Sequence, residues 1–156
     1  MHDDIQYAVL TLLRNTAAVT ALTSTRIYEE PDNNPASPYI VAGDMREERD
    51  LTMNSSTTSG TNIATVYFPL HICYSPDKTA AAPKTYYQAA RSAAAAAEAV
   101  LHKAALTLPS SGWASILCIK DSEQERRTED GGRYIEQTYK IIAYKTDAPP
   151  PTPPPT

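Results

Sequence analysis

The residues from Ile63 to Tyr74 alternate between two classes of side chain, and this feature restricts the fold more than any other. Successive side chains of a β-strand point to opposite faces, so a period of two predicts a strand with one face against a core. Pro69 lacks the N–H group that a sheet ladder uses, so we predict that this strand lies at a sheet edge or bulges there. The apolar positions are Ala64, Val66, Phe68, Leu70, Ile72 and Tyr74.

A helix is predicted near the amino terminus, where apolar residues recur every three or four positions between Ile5 and Leu13. This spacing places them on one stripe of a helix. Asp3 or Asp4 can cap this helix by accepting hydrogen bonds from free N–H groups of the first turn. Thr16 is predicted to cap a short second helix in the same way.

A longer helix is predicted over residues 83–106, because alanine has the highest helix propensity and five alanines follow one another at 93–97. Alanine side chains are short, so this helix can approach a sheet or another helix closely. The face expected to pack carries Tyr87, Ala90, Ala94, Ala97, Leu101 and Ala105.

Four further strands complete the predicted order of elements, which is α, α, β, β, β, α, β, β. Residues 120–132 are interpreted as a charged connection that ends in a turn at Asp130-Gly131-Gly132. We therefore expect an α+β fold, with an antiparallel or mixed β-sheet and two main helices packed on one face. The further strands are predicted at residues 26–28, 38–43, 113–119 and 134–145.

Two segments have compositions that do not suit a packed core. Residues 44–62 are first charged and then rich in Ser, Thr and Asn, which predicts a long β-hairpin loop projecting from the sheet. Residues 148–156 consist almost entirely of Pro and Thr, which predicts an extended polyproline-type C-terminal tail. The remaining residues, 1–147, are expected to form a single domain.

Charge and tyrosine content limit the kinds of partner. The formal net charge is −4, and the 14 Lys and Arg residues are scattered, which argues against a dedicated nucleic-acid surface. The ten tyrosines suit half-buried positions on sheet faces or at subunit interfaces. We expect no membrane partner, because the sequence has neither a signal-peptide pattern at its start nor an apolar stretch of the ~20 residues that span a bilayer.

Candidate catalytic groups are few. His71 and Cys73 would share a strand face, but such neighbours lie about 7 Å apart, which is too far for direct proton transfer. Cys73 and Cys118 lie in apolar runs and are predicted to be free thiols. The spacing of His, Cys and carboxylate residues fits no metal site, and the glycines form no phosphate-binding loop. We therefore predict a non-enzymatic protein that uses no cofactor or metal.

Several short motifs occur in an order that resembles a known family. Residues 19–22 are followed by Arg26-Ile27-Tyr28 and then by Pro38-Tyr39-Ile40-Val41. The alternating strand, the alanine-rich helix and a late hairpin containing Arg126-Arg127 come next. In this order the chain resembles, over roughly residues 4–144, the tail-completion proteins of long-tailed bacteriophages, which are also called tail-terminator or head–tail joining proteins.

The resemblance implies a structural protein of the virion that assembles in the host cytoplasm. It implies a homohexameric ring that caps the tail tube at the neck and joins the tail to the head connector. The implied partners are further copies of the chain, the tail-tube protein and the connector proteins, and DNA passes through the channel without specific binding. One alternative is a head-completion or connector adaptor. The alternative from another class is a peptide- or protein-binding module unrelated to virions.

The contacts of such a ring are expected at the sheet edge near Pro69 and along the strand predicted at 134–145, where one subunit would meet the next. Charged and aromatic residues of the predicted loops and of the last strand are the candidates for these contacts. They are Arg46, Glu47, Glu48, Arg49, Asp50, Arg126, Arg127, Tyr134 and Tyr139.

Overall fold

The computed structural model describes residues 2–30, 35–50, 63–74, 83–108, 112–129 and 131–145. The hairpin residues 51–62 and the Pro-rich residues 148–156 lie outside the described residues, as does Asp130 of the predicted turn. The described elements are α1 (His2–Arg14), α2 (Ala17–Thr23), β1 (Ile27–Tyr28), β2 (Tyr39–Ala42), β3 (Arg46–Asp50), β4 (Ile63–Tyr74), α3 (Pro83–Leu101), β5 (Trp113–Arg127) and β6 (Arg133–Lys145).

The described strands form one mixed sheet, as expected for an α+β fold. Its order is β1-β2-β4-β6-β5, and β3 pairs with β4 as well. β1 runs parallel to β2, and the other pairs are antiparallel. One side of β4 is occupied by β2 at residues 70–73 and by β3 at residues 63–67, while β6 follows the whole of its other side.

The prediction that β4 lies at an edge because of Pro69 is wrong. Pro69 falls between the stretches of β4 that pair with β2 and β3, and its carbonyl accepts a 2.8 Å hydrogen bond from the Gly43 N–H. The nitrogen and carbonyl of one strand residue point the same way, so the missing N–H faces the gap between β2 and β3 and costs the ladder to β6 nothing. β4 and β6 have strand neighbours on both sides, so the subunit contact expected at a sheet edge near Pro69 cannot form by edge pairing of these strands. The contact expected along residues 134–145 stays a prediction.

Two segments predicted to be loops are strands instead. The charged residues 46–50 form β3, and the charged residues 121–127 extend β5 well beyond Ile119. Both strands are at the edges of the sheet, where a polar side chain can stay in water on either face while the backbone pairs on one side. The register of β5 against β6 shifts twice, between Ser115 and Leu117 and between Lys120 and Ser122, which marks two β-bulges or irregularities.

Two details of the helices also differ from prediction. Thr16 precedes α2, but its hydroxyl makes no capping bond and donates instead to the Leu12 carbonyl at 2.7 Å. The long helix ends at Leu101 rather than near residue 106. Lys103 adopts a positive φ of 66°, and its N–H donates to the Cys118 carbonyl at 2.6 Å, which turns the chain onto β5.

The core lies between the helices and one face of the sheet, with buried residues from α1, α2 and α3. The even-numbered residues of β4 from Ala64 to Ile72 are fully buried, which confirms the predicted alternation. On α3, Ala90, Ala93 and Ala97 have no exposed surface. Their small size brings the helix so close that the Gln137 side chain of β6 donates to the Ala94 carbonyl at 3.0 Å. Among the described helices, none is both long and apolar enough to cross a membrane.

Candidate interaction surface

The end of β5 is an exposed edge of the sheet. β5 is the last strand in the sheet order, and every residue from Asp121 to Glu129 is exposed. Its outer row of N–H and C=O groups meets no other strand within the described part of the chain. An open strand edge is a ready template for pairing with another strand, so this segment is a candidate contact surface.

The opposite edge of the sheet is formed by β1 and β3. Following the pairings across the sheet, β3 and β6 run in one direction, and β4 and β5 run in the other. β1 has the same direction as β3. An identical sheet placed beside this one would therefore present β3 or β1 antiparallel to β5, which is the more stable pairing per residue.

Arg126 and Tyr134 belong to a cluster on the sheet face that points away from α3. Glu136 lies at its centre and accepts hydrogen bonds from Gln124 at 2.7 Å and Arg126 at 3.3 Å. His71 approaches the other carboxylate oxygen at 3.1 Å, and its ring lies 4.7 Å from that of Tyr134. Burial alone would raise the pKa of Glu136, but these partners outweigh it and lower the pKa. The cluster fixes three neighbouring strands to one another.

The candidates on β3 form a second group at the other edge. The Arg46 guanidinium lies 4.6 Å from the centre of the Tyr67 ring and 3.1 Å from Glu48. Glu47 lies on the opposite face of the strand, 2.9 Å from His2 of α1. Arg49 and Asp50 pair through their backbones with the start of β4. The predicted residues are thus spread over β3 at one edge, β5 at the other and the interior strand β6, and they do not converge within one chain. Arg127 is exposed at the end of β5.

Tyr139 was predicted as a contact residue, but it lies in the core. It is fully buried, and its hydroxyl donates to the Gln137 side chain at 2.8 Å, so it serves the core and offers no surface to a partner. Gln137 was missed, although a polar residue among the alternating apolar positions of β6 is a signal for a buried network. Its amide also donates to Glu123 at 2.8 Å.

Glu123 anchors this network at the rim of the core. It accepts hydrogen bonds from Arg91 at 2.7 Å and Lys120 at 2.9 Å, and Lys120 also reaches Glu98 at 2.7 Å. Burial alone would raise the pKa of Glu123, but the bonds from Gln137, Lys120 and Arg91 outweigh it and lower the pKa from 4.5 to about 2. The network ties β5 and β6 to α3.

Replacing Glu123 with Gln is expected to lower the free energy of unfolding at pH 7 by roughly 1–2 kcal/mol, because cationic donors lose a charged acceptor. The folded pKa lies below the ordinary one, so the stabilisation is present above pH 4.5 and lost as the pH falls toward about 2. Urea unfolding of both proteins should therefore give a difference that shrinks across this interval. Glu129→Gln, in the exposed turn after β5, is the control and should change neither the free energy of unfolding nor its dependence on pH. If the difference between Glu123→Gln and the wild-type chain stayed constant from pH 7 to low pH, the stabilisation would not come from the charge of Glu123.

The cysteines lie far apart and in environments that disfavour thiolate. Cys73 is on β4 and Cys118 on β5, with β6 between them, so about 9–10 Å of sheet width separates them, which is beyond disulfide reach. Burial raises the pKa of Cys73 to about 11 and that of Cys118 to about 12. Within the described ranges, no group of three or more His, Cys, Asp or Glu residues could hold a metal ion.

Comparison with known proteins identifies the family. One solved chain, from the virion of a native gene transfer agent particle, superposes with a TM-score of 0.71 over 90% of this chain and 94% of that chain, at 22% identity. This likeness shows a shared fold. Comparison with curated protein sequences gave no significant match. Residues 7–144 match the family of tail completion protein gp17. The chain therefore belongs to the tail completion protein gp17 family, as the resemblance predicted, and is a structural protein of the phage virion tail.

Proposed function

We propose that this protein closes into a ring, most simply a hexamer, that caps the phage tail tube and joins the tail to the head connector. The observation that carries this proposal is the family match, which spans residues 7–144 and so includes both edges of the sheet. The interpretation as a binding module unrelated to virions is wrong, because the family is one of tail proteins. A head-completion or connector adaptor is the remaining alternative.

Two edges of the sheet, which pair with no further strand among the described residues, support a ring. A ring of identical subunits needs a heterologous contact, in which one surface of each subunit meets a different surface of the next. β5 and the β1–β3 edge are two such surfaces, and their directions allow an antiparallel contact. Both edges carry charges of both signs, including Arg46 and Glu48 on one and Glu125 and Arg127 on the other. Opposite charges at the contact would favour one register over others.

The charge of the subunit suits a channel through which DNA passes. Each chain has a formal net charge of −4, so a ring of several copies repels the phosphate backbone. Repulsion lowers the affinity of DNA for the wall and thereby favours passage over retention. The acidic balance supports the role of a conduit and disfavours a DNA-anchoring role.

The hairpin between β3 and β4 is the part that we propose reaches the tube or a stacked ring. Its tip, residues 51–62, lies outside the described residues, but its two strands are held by antiparallel pairing up to Asp50 and Ile63. Deleting residues 54–60 is expected to leave the unfolding free energy nearly unchanged, because loop-closure entropy varies slowly with length. The same deletion is expected to prevent tail joining.

The test is complementation of a phage that lacks this gene, followed by electron microscopy of the particles. Without the protein, we expect tail tubes of irregular length and heads without tails. The wild-type chain should restore a six-fold ring at the head-proximal end of the tube, and the chain deleted for residues 54–60 should not restore joining. A ring on the head connector in particles that lack tails would instead favour the adaptor, and normal infectivity of the deletion would refute the proposed role of the hairpin.

A further inference from the structure

A small groove runs between α1 and the segment that follows α3. Its volume is about 260 Å³, near the lower limit of ~300 Å³ for small-ligand sites. Tyr7 stands on its wall and is 58% exposed, more than the other exposed tyrosines, Tyr87 and Tyr144, at 38% each. A large aromatic ring left this open beside apolar walls is a candidate contact. The groove is lined by Tyr7, Ala8, Thr11, Leu12, Asn15, Ala105, Leu106 and Thr107.

The lining combines apolar walls with a few hydrogen-bond donors. Tyr7 and Thr11 lie four residues apart on one face of α1, and Asn15 directly follows the helix, with its N–H bonded to the Thr11 carbonyl at 3.0 Å. An aromatic ring, a hydroxyl and an amide therefore line the groove. A polyproline II segment presents apolar proline rings and unpaired backbone carbonyls, and it has few N–H groups that need acceptors. Grooves lined by aromatic rings bind such segments, because the ligand is already extended and loses little entropy.

The chain itself carries such a segment close by. Residues 148–156 contain six prolines in nine positions. The described chain ends at Lys145, which pairs with Trp113, and Thr107 of the groove lies six residues before Trp113. The six residues from Thr107 to Trp113 span at most about 20–22 Å, and the paired residues Trp113 and Lys145 lie about 5 Å apart. Thr107 is therefore at most about 27 Å from Lys145. The eleven residues after Lys145 extend about 34 Å as polyproline II, so they can reach the groove.

We propose that this groove is a binding site for polyproline II segments and that its occupant is the Pro-rich segment 148–156 of the same chain. Attachment next to the groove raises the effective concentration of the segment to the millimolar range, so a weak contact suffices to keep it bound. The proposal does not depend on ring formation, and its test is made on the isolated full-length chain.

The test is nuclear magnetic resonance of the full-length chain labelled with ¹⁵N-threonine, in which the amides of Thr152 and Thr156 report on the segment. We expect an ordered Thr152 amide in the wild-type chain, shown by a positive heteronuclear NOE. Tyr7→Ala should reduce this signal to that of a free peptide, and so should serine at positions 149–151, which leaves the folded part untouched. Tyr87→Ala removes an exposed tyrosine elsewhere and should leave the Thr152 signal unchanged.

Three results would overturn the proposal. The first is a Thr152 amide as mobile as in a free peptide in the wild-type chain. The second is an ordered amide that Tyr7→Ala does not affect. The third is order that disappears on dilution, which would assign the occupant to another copy of the chain. Conversely, release of the Thr152 amide by an excess of synthetic peptide with the sequence of residues 148–156 would support the groove as the site.

Discussion

Of the two variants Gln124→Pro and Glu125→Pro, one is expected to fold normally yet fail to form the ring. The other is expected to lose stability. The N–H groups of consecutive strand residues point to opposite sides, so one position donates to β6 and the other points outward from the edge. The register of β5 against β6 is regular from Glu123 to Arg127, so this alternation holds here. A proline at the outward position keeps the backbone ladder to β6 and removes a donor that the next subunit would use. It also removes one side-chain hydrogen bond, either from Gln124 to Glu136 or from Tyr87 to Glu125.

The expected effect is large because every contact in the ring is affected. A ladder hydrogen bond that cannot form leaves a buried carbonyl unpaired, which costs about 1–3 kcal/mol and weakens each contact by at least about fivefold. Plaque yield in a complementation assay should therefore fall by at least that factor for the variant whose thermal stability is unchanged. The other proline is the internal control, since it should lower stability by breaking a bond to β6. Normal yield from both folded variants would exclude the β5 edge from the ring contact.

Replacing Phe68 with Ala is expected to lower the free energy of unfolding by about 3–5 kcal/mol, a large share of the ~5–15 kcal/mol of a typical domain. Phe68 has no exposed surface and lies on the core face of β4, so its removal leaves a cavity between the sheet and the helices. Tyr67→Ala, one position along, is the matched control. Tyr67 faces the other side under Arg46, and its loss should cost about 1 kcal/mol.

Urea unfolding followed by circular dichroism measures both variants. The comparison tests the alternation that was read from the sequence, because the two residues are neighbours of similar size on one strand. Equal losses for both substitutions would mean that the two faces of β4 are not distinct in energy.

The sequence predicted those elements whose local pattern agrees with their final environment. β4 begins and ends at the predicted residues, and β6 begins one residue early, because each has a buried and a half-buried face that produce period-two alternation. β3 and the second half of β5 escaped prediction since edge strands tolerate charge on both faces. Their pairing depends on β4 and β6, which are distant in sequence, so no local pattern could reveal it.

The surroundings of the candidate contact residues were predicted in part for the same reason. Charge predicted that Arg126 and Arg46 lie at the surface, and both are exposed, although they lie in strands and not in the predicted loops. Their role in a contact stays a prediction. Tyr139 was misassigned, because tyrosine occupies both cores and interfaces and only the partner of its hydroxyl distinguishes the two. Glu123 and Gln137 contact residues of α3 that lie 32 and 43 positions away in sequence, so no local pattern could reveal these bonds. The contact between Glu123 and Gln137 depends on the register of β5 on β6.

The irregularities in β5 have a consequence for copy number. Hydrogen bonding between edges can be repeated without limit, and an addition that never closes produces a filament rather than a circle. What closes the circle is the angle between successive sheets, and bulges bend a strand and increase its twist. The second register shift falls at Asp121, where the exposed stretch of β5 begins. In the proposed ring, a change in this bulge that keeps residues 123–127 in register with β6 would therefore change how many subunits complete a turn. A plain one-residue slip would instead move the Glu123 side chain to the other face of the sheet.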